Sequence, residues 1–174
     1  YEGIIEQRPN DGLAYTSVGN YLQGQTAQQL GDLELSAQSL ERMVKLDISG
    51  PPAEQAFRLL EEVYTSLGLP RAIEGYEGII QQAPDHVLAA ITMGRLYNQA
   101  GQYQLAIELF DRVLIPPRRV YSPFAWRSRG DAYTGLGLFE EALQDYSLAT
   151  YFDPNNALAW LGFGKSYMEL GDYE

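Results

Sequence analysis

The chain has 174 residues, of which 45% are hydrophobic and 12% aromatic, so it can form a folded core and does not have the composition of a disordered chain. Its 23 acidic residues outnumber its 12 basic residues, and the net charge of −11 disfavours general nucleic-acid binding and docking to an anionic membrane. With no cysteine and one histidine, the chain has no disulfide, no thiolate metal site and no Cys–His catalytic pair.

The chain opens inside a predicted helix. The segment YEGIIEQRPND at 1–11 closely copies YEGIIQQAPDH at 76–86, so it is predicted to be the second helix of a repeating unit. The next unit, 12–53, is predicted to have a long first helix over about 13–29, bent or broken near Gly24 because glycine is a poor helix former. Its second helix is predicted within LELSAQSLERMVKLD, followed by the connecting loop SGPPA.

Four twelve-residue stretches then recur at offsets of 33, 36 and 34 residues. They are FRLLEEVYTSLG at 57–68, AITMGRLYNQAG at 90–101, WRSRGDAYTGLG at 126–137 and WLGFGKSYMELG at 160–171. Places one, four, eight and eleven of each stretch share one face of a helix. A glycine at place five of three stretches allows a neighbouring helix to approach closely, and the closing glycine ends the helix in a left-handed conformation.

The tyrosines and tryptophans at places one and eight of these stretches are predicted to pack in the core. They are Tyr64, Tyr97, Tyr133, Tyr167, Trp126 and Trp160.

A second helical segment follows each closing glycine. The segments are LPRAIEGYEGIIQQAPD, QYQLAIELFDRVLIPP and LFEEALQDYSLATYFDPN. Each has apolar residues at i, i+4 and i+7, and each ends near a proline, which cannot continue a helix. The repeating unit is therefore predicted to be a helix, a tight turn, a second helix and a turn.

This unit resembles the tetratricopeptide repeat, a helix–turn–helix of about 34 residues with Trp, Leu-Gly, Tyr, Ala, Phe and Pro at fixed places. The resemblance is strongest at 123–156 and implies an all-α fold, a right-handed α-solenoid (superhelix) of stacked antiparallel helix pairs. It covers 1–174 as a single array, in which both ends fall inside a repeat, so we expect the chain to be a fragment of a longer one. The predicted parts are a trailing half-repeat at 1–11, repeats at 12–53, 54–86, 87–122 and 123–156, and a leading half-repeat at 157–174.

Arg129 stands at place four, where the other stretches have apolar residues, so its side chain is predicted to point toward the second helix. An unpaired charge there would cost on the order of several kcal/mol. Asp145 on the following helix is the predicted partner in a structural ion pair. The resemblance supports this pairing, because family sequences of the RG-x-AY type often occur with DY in the second helix.

No catalytic constellation, metal site or cofactor site is predicted. The single histidine, His86, lies in a turn, and the pairs Glu61–Glu62 and Glu140–Glu141 are typical of solvated helix surfaces. We therefore predict a chain that is not an enzyme and binds no cofactor, metal or nucleic acid. The lack of cysteine, of a visible signal peptide and of an apolar run of membrane-spanning length favours a cytoplasmic location and no membrane insertion.

In the family that the chain resembles, the first helices line a concave groove. Places two, three, six, nine and ten of the twelve-residue frame are expected to face it, and four of the twelve basic residues fall there. Because arginine binds carboxylates in bidentate fashion, we predict that the groove binds an extended or helical peptide bearing acidic groups. The alternative is that these charges are solvated or paired locally. The predicted groove residues are Asn20, Arg58, Ile91, Arg95, Asn98, Arg127, Leu161 and Lys165.

The main functional hypothesis is thus a protein-interaction scaffold with a protein or peptide partner. A chaperone partner is disfavoured, because the family's carboxylate clamp is incomplete: Asn20 fits it, whereas Thr16 replaces its lysine and Leu59 its next asparagine. Two alternatives stay open. The array could be a substrate-positioning or regulatory arm of a larger enzyme or signalling protein, or it could form homo-oligomers through its open ends, including Trp160–Tyr173.

Overall fold

The computed structural model describes residues 12–45, 51–114 and 122–171, with side chains described for 20–45, 55–114 and 122–171. All regular secondary structure within these ranges is helical, which confirms the predicted all-α fold. The predicted helix at 1–11 lies outside the described residues. The predicted loop SGPPA at 49–53 is described only from residue 51, and the prediction is wrong for 51–53, which begin the helix Pro51–Leu67.

The described ranges contain nine helices that alternate between first and second helices of the repeating unit. The first helices are α1 (Gly12–Gln29), α3 (Pro51–Leu67), α5 (Val87–Gln99), α7 (Pro123–Gly135) and α9 (Ala157–Leu170). The second helices are α2 (Leu33–Lys45), α4 (Leu69–Gln82), α6 (Tyr103–Leu114) and α8 (Phe139–Phe152).

The turns between paired helices depend on glycine, as the repeat pattern predicts. The residues that close the first helices have φ angles between 73° and 95°, a left-handed conformation that favours glycine. They are Gly31, Gly68, Gly101, Gly137 and Gly171. The second helices α4 and α8 end two residues before Pro84 and Pro154, respectively, which confirms the predicted proline stops.

The predicted long first helix over 13–29 is present as α1. Of the two outcomes predicted near Gly24, a bend or a break, the break is wrong, because α1 runs without interruption through this residue. A Cβ atom on Gly24 would lie 2.7 Å from Leu40 Cγ, and the Gly24 carbonyl accepts a hydrogen bond from Ser36 Oγ at 2.7 Å. Glycine at this position therefore allows α2 to pack closely against α1. This packing offsets the low helix propensity of glycine.

The first compact unit of the chain spans Tyr1–His86, and its described part consists of α1 to α4. Helix α2 packs between α1 and α3, and α4 packs against α2 and α3. Its core is built from apolar faces with helical spacing. The most deeply buried large side chains of this unit are Leu40, Met43, Leu60, Val63, Tyr76 and Ile79.

The second compact unit spans Val87–Glu174, and its described part consists of α5 to α9. Helices α5, α7 and α9 lie side by side, whereas α6 packs against α5 and α7, and α8 packs against α7 and α9. One core cluster is centred on Phe110, with Ala106 and Val113 from the same helix, and a second is centred on Tyr146. The unit therefore has a layer of first helices and a layer of second helices.

The prediction that the repeated aromatic residues pack in the core is confirmed in the middle repeats and is wrong for α9. Tyr64 is buried, and Tyr97, Trp126 and Tyr133 are half-buried against the core. In contrast, Trp160 is 51% exposed and Tyr167 is 39% exposed, so the prediction is wrong for these two residues. The physical reason is that no helix among the described residues packs on this face of α9 as α8 packs on α7.

Candidate functional site

Helices α5 and α7 bring two half-buried arginines to one aromatic ring. Helix α7 begins with an N-cap at Ser122, whose Oγ accepts a hydrogen bond from the Ala125 N–H at 3.2 Å, and with a proline in its first turn. This start places Phe124 in the first turn, where its side chain is 38% exposed. The ring therefore offers an accessible apolar surface next to the two cations.

The guanidinium carbons of Arg95 and Arg127 lie 5.9 Å and 5.0 Å from the centroid of the Phe124 ring. Both distances are within the range of cation–π attraction. We call Arg95, Phe124 and Arg127 the Arg–Phe cluster. It brings together two of the predicted groove residues and one residue, Phe124, that the sequence analysis did not include.

Arg127 is also paired within its own helix. Its Nη1 donates to Asp131 Oδ2 at 2.7 Å, and the Tyr146 hydroxyl donates to the other carboxylate oxygen of Asp131 at 2.8 Å. Burial raises the pKa of Asp131 above its ordinary value, although the hydrogen bond from Tyr146 and the charge of Arg127 act in the opposite direction. Arg127 is thus paired locally, which is the alternative that the sequence analysis left open for the groove charges.

Asn98 is on α5, three residues after Arg95, and its side chain bonds to α7. Its Nδ2 donates to the carbonyl oxygen of Ser128 at 2.6 Å. Within the described side chains, Asn98 Oδ1 and Ser128 Oγ are buried without a hydrogen-bond partner. Asn98 therefore links the two first helices.

The structure distributes the other predicted groove residues differently. Ile91 is only 8% exposed and belongs to the core cluster around Phe110, so its assignment to an accessible groove surface is wrong. The physical reason is that α6 and α7 both pack against α5. Leu161 and Lys165 are exposed on α9 of the second unit, whereas Arg58 is exposed and Asn20 half-buried in the first unit.

Arg129 forms the predicted pair with Asp145. Arg129 is 8% exposed, and its Nε and Nη2 donate to the two carboxylate oxygens of Asp145, both at 2.8 Å. Its Nη1 donates to Asp111 of α6, which the sequence analysis missed, and its guanidinium lies 4.9 Å from the Trp126 ring. Burial lowers the pKa of Arg129, but the hydrogen bonds and charge of Asp145 outweigh burial and raise it overall.

The first unit contains a second arginine network, which the sequence analysis also missed. Arg71 of α4 donates to Glu34 and Glu41 of α2, with Nη2 at 2.8 Å from each carboxylate. The Tyr64 hydroxyl donates to Glu41 at 2.6 Å, and burial together with this hydrogen bond raises the pKa of Tyr64. Tyr64 stands at place eight of its stretch, but no recurring motif marks Arg71, Glu34 or Glu41, so the repeat pattern contained no signal for this network.

We found no cluster of three or more metal-ligating side chains among the residues that the structure describes. None of the helices in that part of the chain combines the length and apolar character needed to cross a membrane. His86 is half-buried in its turn, and its ring stacks on Phe57 with centroids 5.7 Å apart.

Three family models match separate parts of the chain. Two models described as "Tetratricopeptide repeat" match residues 18–47 and 64–120. A third, described as "TPR repeat", matches residues 130–171. Together the matches include all or part of each described helix.

Two curated proteins share sequence similarity with parts of the chain. A heat-shock protein cognate (HSC) co-chaperone, sgt12, of Aspergillus fumigatus is 34% identical over 42% of this chain and 21% of its own length. A chloroplastic pentatricopeptide repeat-containing protein of Arabidopsis thaliana is 32% identical over 68% of this chain and 22% of its own length. The chain therefore spans about a fifth of the length of these relatives.

Solved structures of MamA proteins share the fold. MamA from Desulfovibrio magneticus RS-1 aligns with a TM-score of 0.68 at 19% identity, over 91% of this chain and 87% of that chain. MamA MSR-1 aligns with a TM-score of 0.63 at 24% identity, over 90% of this chain and 88% of that chain. At these identities the similarity concerns the helical fold alone.

Proposed function

Because the chain belongs to the tetratricopeptide repeat family, we propose that it is a non-catalytic interaction scaffold whose second unit binds an acidic peptide at the Arg–Phe cluster. A protein-interaction role follows from the family. The binding surface and the acidic preference are the parts that we propose, and they rest on the first helices α5 and α7.

The observation that carries the proposal is the convergence of Arg95 and Arg127 on the exposed ring of Phe124. The chain as a whole has a net charge of −11, whereas two positively charged side chains lie together around one accessible aromatic ring. An arginine offers several N–H donors in a plane that fits a carboxylate. The Phe124 ring would hold an apolar group next to the acidic group of the ligand.

Asp131 binds Arg127 in the way that we propose for a ligand carboxylate. It uses Nη1 of Arg127, so the remaining N–H donors of this guanidinium can address an incoming acid. The bond also holds Arg127 in one orientation, which reduces the side-chain entropy lost on binding. Asp131 would therefore orient Arg127 and also weaken the affinity for an acidic ligand.

The remaining exposed or half-buried groove residues extend the proposed surface. Asn98, Leu161 and Lys165 belong to the second unit with the Arg–Phe cluster, and we propose them as flanking contacts. Arg58 and Asn20 belong to the first unit and are proposed as separate contacts. The co-chaperone among the relatives does not favour a chaperone ligand here, because Thr16 and Leu59 replace two residues of the carboxylate clamp.

A peptide-display selection against the intact chain tests this proposal. Peptides enriched by the wild type should contain Asp or Glu next to an apolar residue. Their affinity, measured by fluorescence anisotropy, should fall by about tenfold or more for the Arg95→Glu/Arg127→Glu variant, because two attractive charges become repulsive.

The matched control is Arg42→Glu/Arg112→Glu, which changes the net charge by the same amount at exposed sites on α2 and α6. Equal losses in both double variants would mean that only the net charge matters. Enrichment of peptides without acidic residues would refute the acidic preference.

A further inference from the structure

Helix α7 carries two Arg–Asp pairs that differ in how the carboxylate meets the guanidinium. Arg129 binds both oxygens of Asp145 through its Nε and Nη2. Arg127 binds one oxygen of Asp131 through its Nη1. Within the described part of the chain, the Nε–Nη2 edge of Arg127 makes no hydrogen bond, and its side chain retains 15% of its exposure. The edge that binds a carboxylate in Arg129 is therefore available in Arg127.

The hydroxyl of Tyr146 accounts for this difference. It donates to Asp131 Oδ1 at 2.8 Å, and the Thr134 hydroxyl lies 3.2 Å from it. A phenol has one proton, which Asp131 accepts, so Thr134 is the donor to Tyr146. Tyr146 thus occupies the oxygen of Asp131 that Arg127 does not bind, and it prevents the two-oxygen contact that Asp145 makes with Arg129.

Two glycines allow the Tyr146 hydroxyl to reach Asp131. The residue Tyr146 is 1% exposed, whereas the side chain of Asp131 is 39% exposed. A Cβ atom on Gly130 of α7 would lie 2.9 Å from the Tyr146 ring, and one on Gly162 of α9 would lie 2.8 Å from its hydroxyl oxygen. Gly162 stands at place three, where the other three stretches have larger residues. A side chain there would displace the hydroxyl from Asp131.

The preceding helix pair shows that ring packing does not need this hydroxyl. Helix α6 has Phe110 at the place of Tyr146, and a Cβ atom on Gly94 of α5 would lie 2.7 Å from its ring. At the place where α7 has Asp131, α5 has Arg95. The hydroxyl therefore occurs with the carboxylate that it binds, in addition to the packing that both rings share.

We propose that Tyr146 is a positioning residue for the acidic peptide. Its hydroxyl keeps Asp131 away from the Nε–Nη2 edge of Arg127, and this edge binds a peptide carboxylate side-on, as Arg129 binds Asp145. The inference rests on the proposed function of the Arg–Phe cluster and adds the edge that the ligand occupies. Without the hydroxyl, Asp131 would turn and offer both oxygens to Arg127.

Nuclear magnetic resonance of the chain without peptide tests the contact itself. Tyr146→Phe keeps the ring and removes the hydroxyl, so rotation about the Cζ–Nε bond of Arg127 should slow as the second oxygen of Asp131 binds. Gly162→Ala displaces the hydroxyl without removing it and should have the same effect, which keeps the test independent of the folding of one variant. The control is Tyr76→Phe, which removes a hydroxyl from an equally buried ring at the equivalent place of α4.

Binding of the labelled peptide fluorescein-Gly-Glu-Leu-Glu-amide, measured by anisotropy, tests the consequence for the ligand. Tyr146→Phe should weaken binding by about fivefold, because Asp131 then competes for the edge, and Tyr76→Phe should leave it unchanged. In an Asp131→Ala background, Tyr146→Phe should have no effect, because the carboxylate that it positions is gone. Arg127→Lys keeps the charge but lacks the planar pair of donors, and it should weaken binding by about tenfold.

The outcomes separate this inference from the proposed function. An unchanged rotation rate in both Tyr146→Phe and Gly162→Ala would overturn the positioning role, as would an equal effect of Tyr146→Phe on affinity with and without Asp131. In these cases the acidic-peptide function would stand. Equal binding of the labelled peptide by the wild type and by Arg95→Glu/Arg127→Glu would instead overturn the function, and the inference with it.

Discussion

Each compact unit joins its helices through one arginine and two carboxylates, but the arginine lies on a different kind of helix. In the first unit Arg71 is on the second helix α4 and reaches back to Glu34 and Glu41 of α2. In the second unit Arg129 is on the first helix α7 and reaches Asp111 of α6 and Asp145 of α8. The shared repeat thus sets the apolar packing, while the polar links between helices vary from one unit to the next.

The two networks also differ in burial, and burial decides how much each contributes to stability. Arg129 and Asp145 are 8% and 2% exposed, so both charges have left water. Glu34 retains 47% of its side-chain exposure. Loss of a partner from a buried pair leaves an uncompensated charge, whereas loss from an exposed pair leaves a charge that water can solvate.

The largest expected effect is therefore the loss of Arg129. Arg129→Met leaves Asp145 buried without its cation and should lower the free energy of unfolding by about 3–5 kcal/mol. Urea denaturation followed by tryptophan fluorescence reports on the second unit, which contains both tryptophans. The control is Arg112→Met at an exposed site of the same unit. A loss for Arg129→Met no larger than for the control would show that the pair does not stabilise the unit.

The space beside Gly130 of α7 differs from that beside Gly164 of α9, and this difference provides the next test. Gly130→Ala forces a methyl group against the Tyr146 ring and should destabilise the second unit by about 1–3 kcal/mol. Gly164→Ala meets no neighbour and should stabilise α9 by up to about 1 kcal/mol, because alanine is the better helix former. Opposite signs in thermal unfolding would support the difference between α7 and α9. Destabilisation by both substitutions would contradict it.

The first-unit network should respond more weakly than Arg129. Arg71→Met removes hydrogen bonds to Glu34 and Glu41 and should cost about 1–2 kcal/mol, since water replaces part of the lost interaction at Glu34. Far-UV circular dichroism during urea unfolding follows the helices of both units, and tryptophan fluorescence follows the second unit alone, so a shift seen only by circular dichroism gives the loss in the first unit. Arg42→Met on α2 is the exposed control. A cost equal to that of Arg129→Met would mean that burial does not separate the two networks.

This comparison also shows how far the sequence predicts the structure. The repeat fold, the glycine turns and the Arg129–Asp145 pair follow from local patterns, because their residues stand at fixed places in one unit. Asp111 and the Glu34–Glu41–Arg71 network lie outside those patterns and depend on which side chains packing brings together. The exposure of Trp160 differs from the core position that place one of the repeat predicts, because no described helix covers that face of α9.

Within the candidate site, the sequence predicted the arginines but not their surroundings. Arg95 and Arg127 are at the places that the family resemblance implies. Phe124 lies before the twelve-residue frame that starts at Trp126, so the frame could not include it. Ile91 has the same place in the frame as Arg127, yet its side chain is only 8% exposed and belongs to the core cluster around Phe110.

The smallest expected effect is a difference in the sign of pH dependence between the two units. The hydrogen bonds from Arg71 hold the pKa of Glu34 below its ordinary 4.5, so the folded state binds fewer protons there than the unfolded chain. The stability that Glu34 contributes, up to about 1 kcal/mol for so exposed a pair, is present above about pH 4.5 and is lost at lower pH. Burial raises the pKa of Asp131 above 3.8, and its contribution instead decreases as pH rises.

Urea unfolding at about pH 7 and about pH 3 would reveal the two signs. The stability of the wild type relative to Glu34→Gln should increase from the lower to the higher pH, because only the ionised carboxylate binds Arg71. Relative to Asp131→Asn it should decrease over the same interval, because the buried carboxylate must ionise away from water. If both differences changed in the same direction, desolvation would not dominate at Asp131, and its bonds to Arg127 and Tyr146 would stabilise the charge more than burial opposes it.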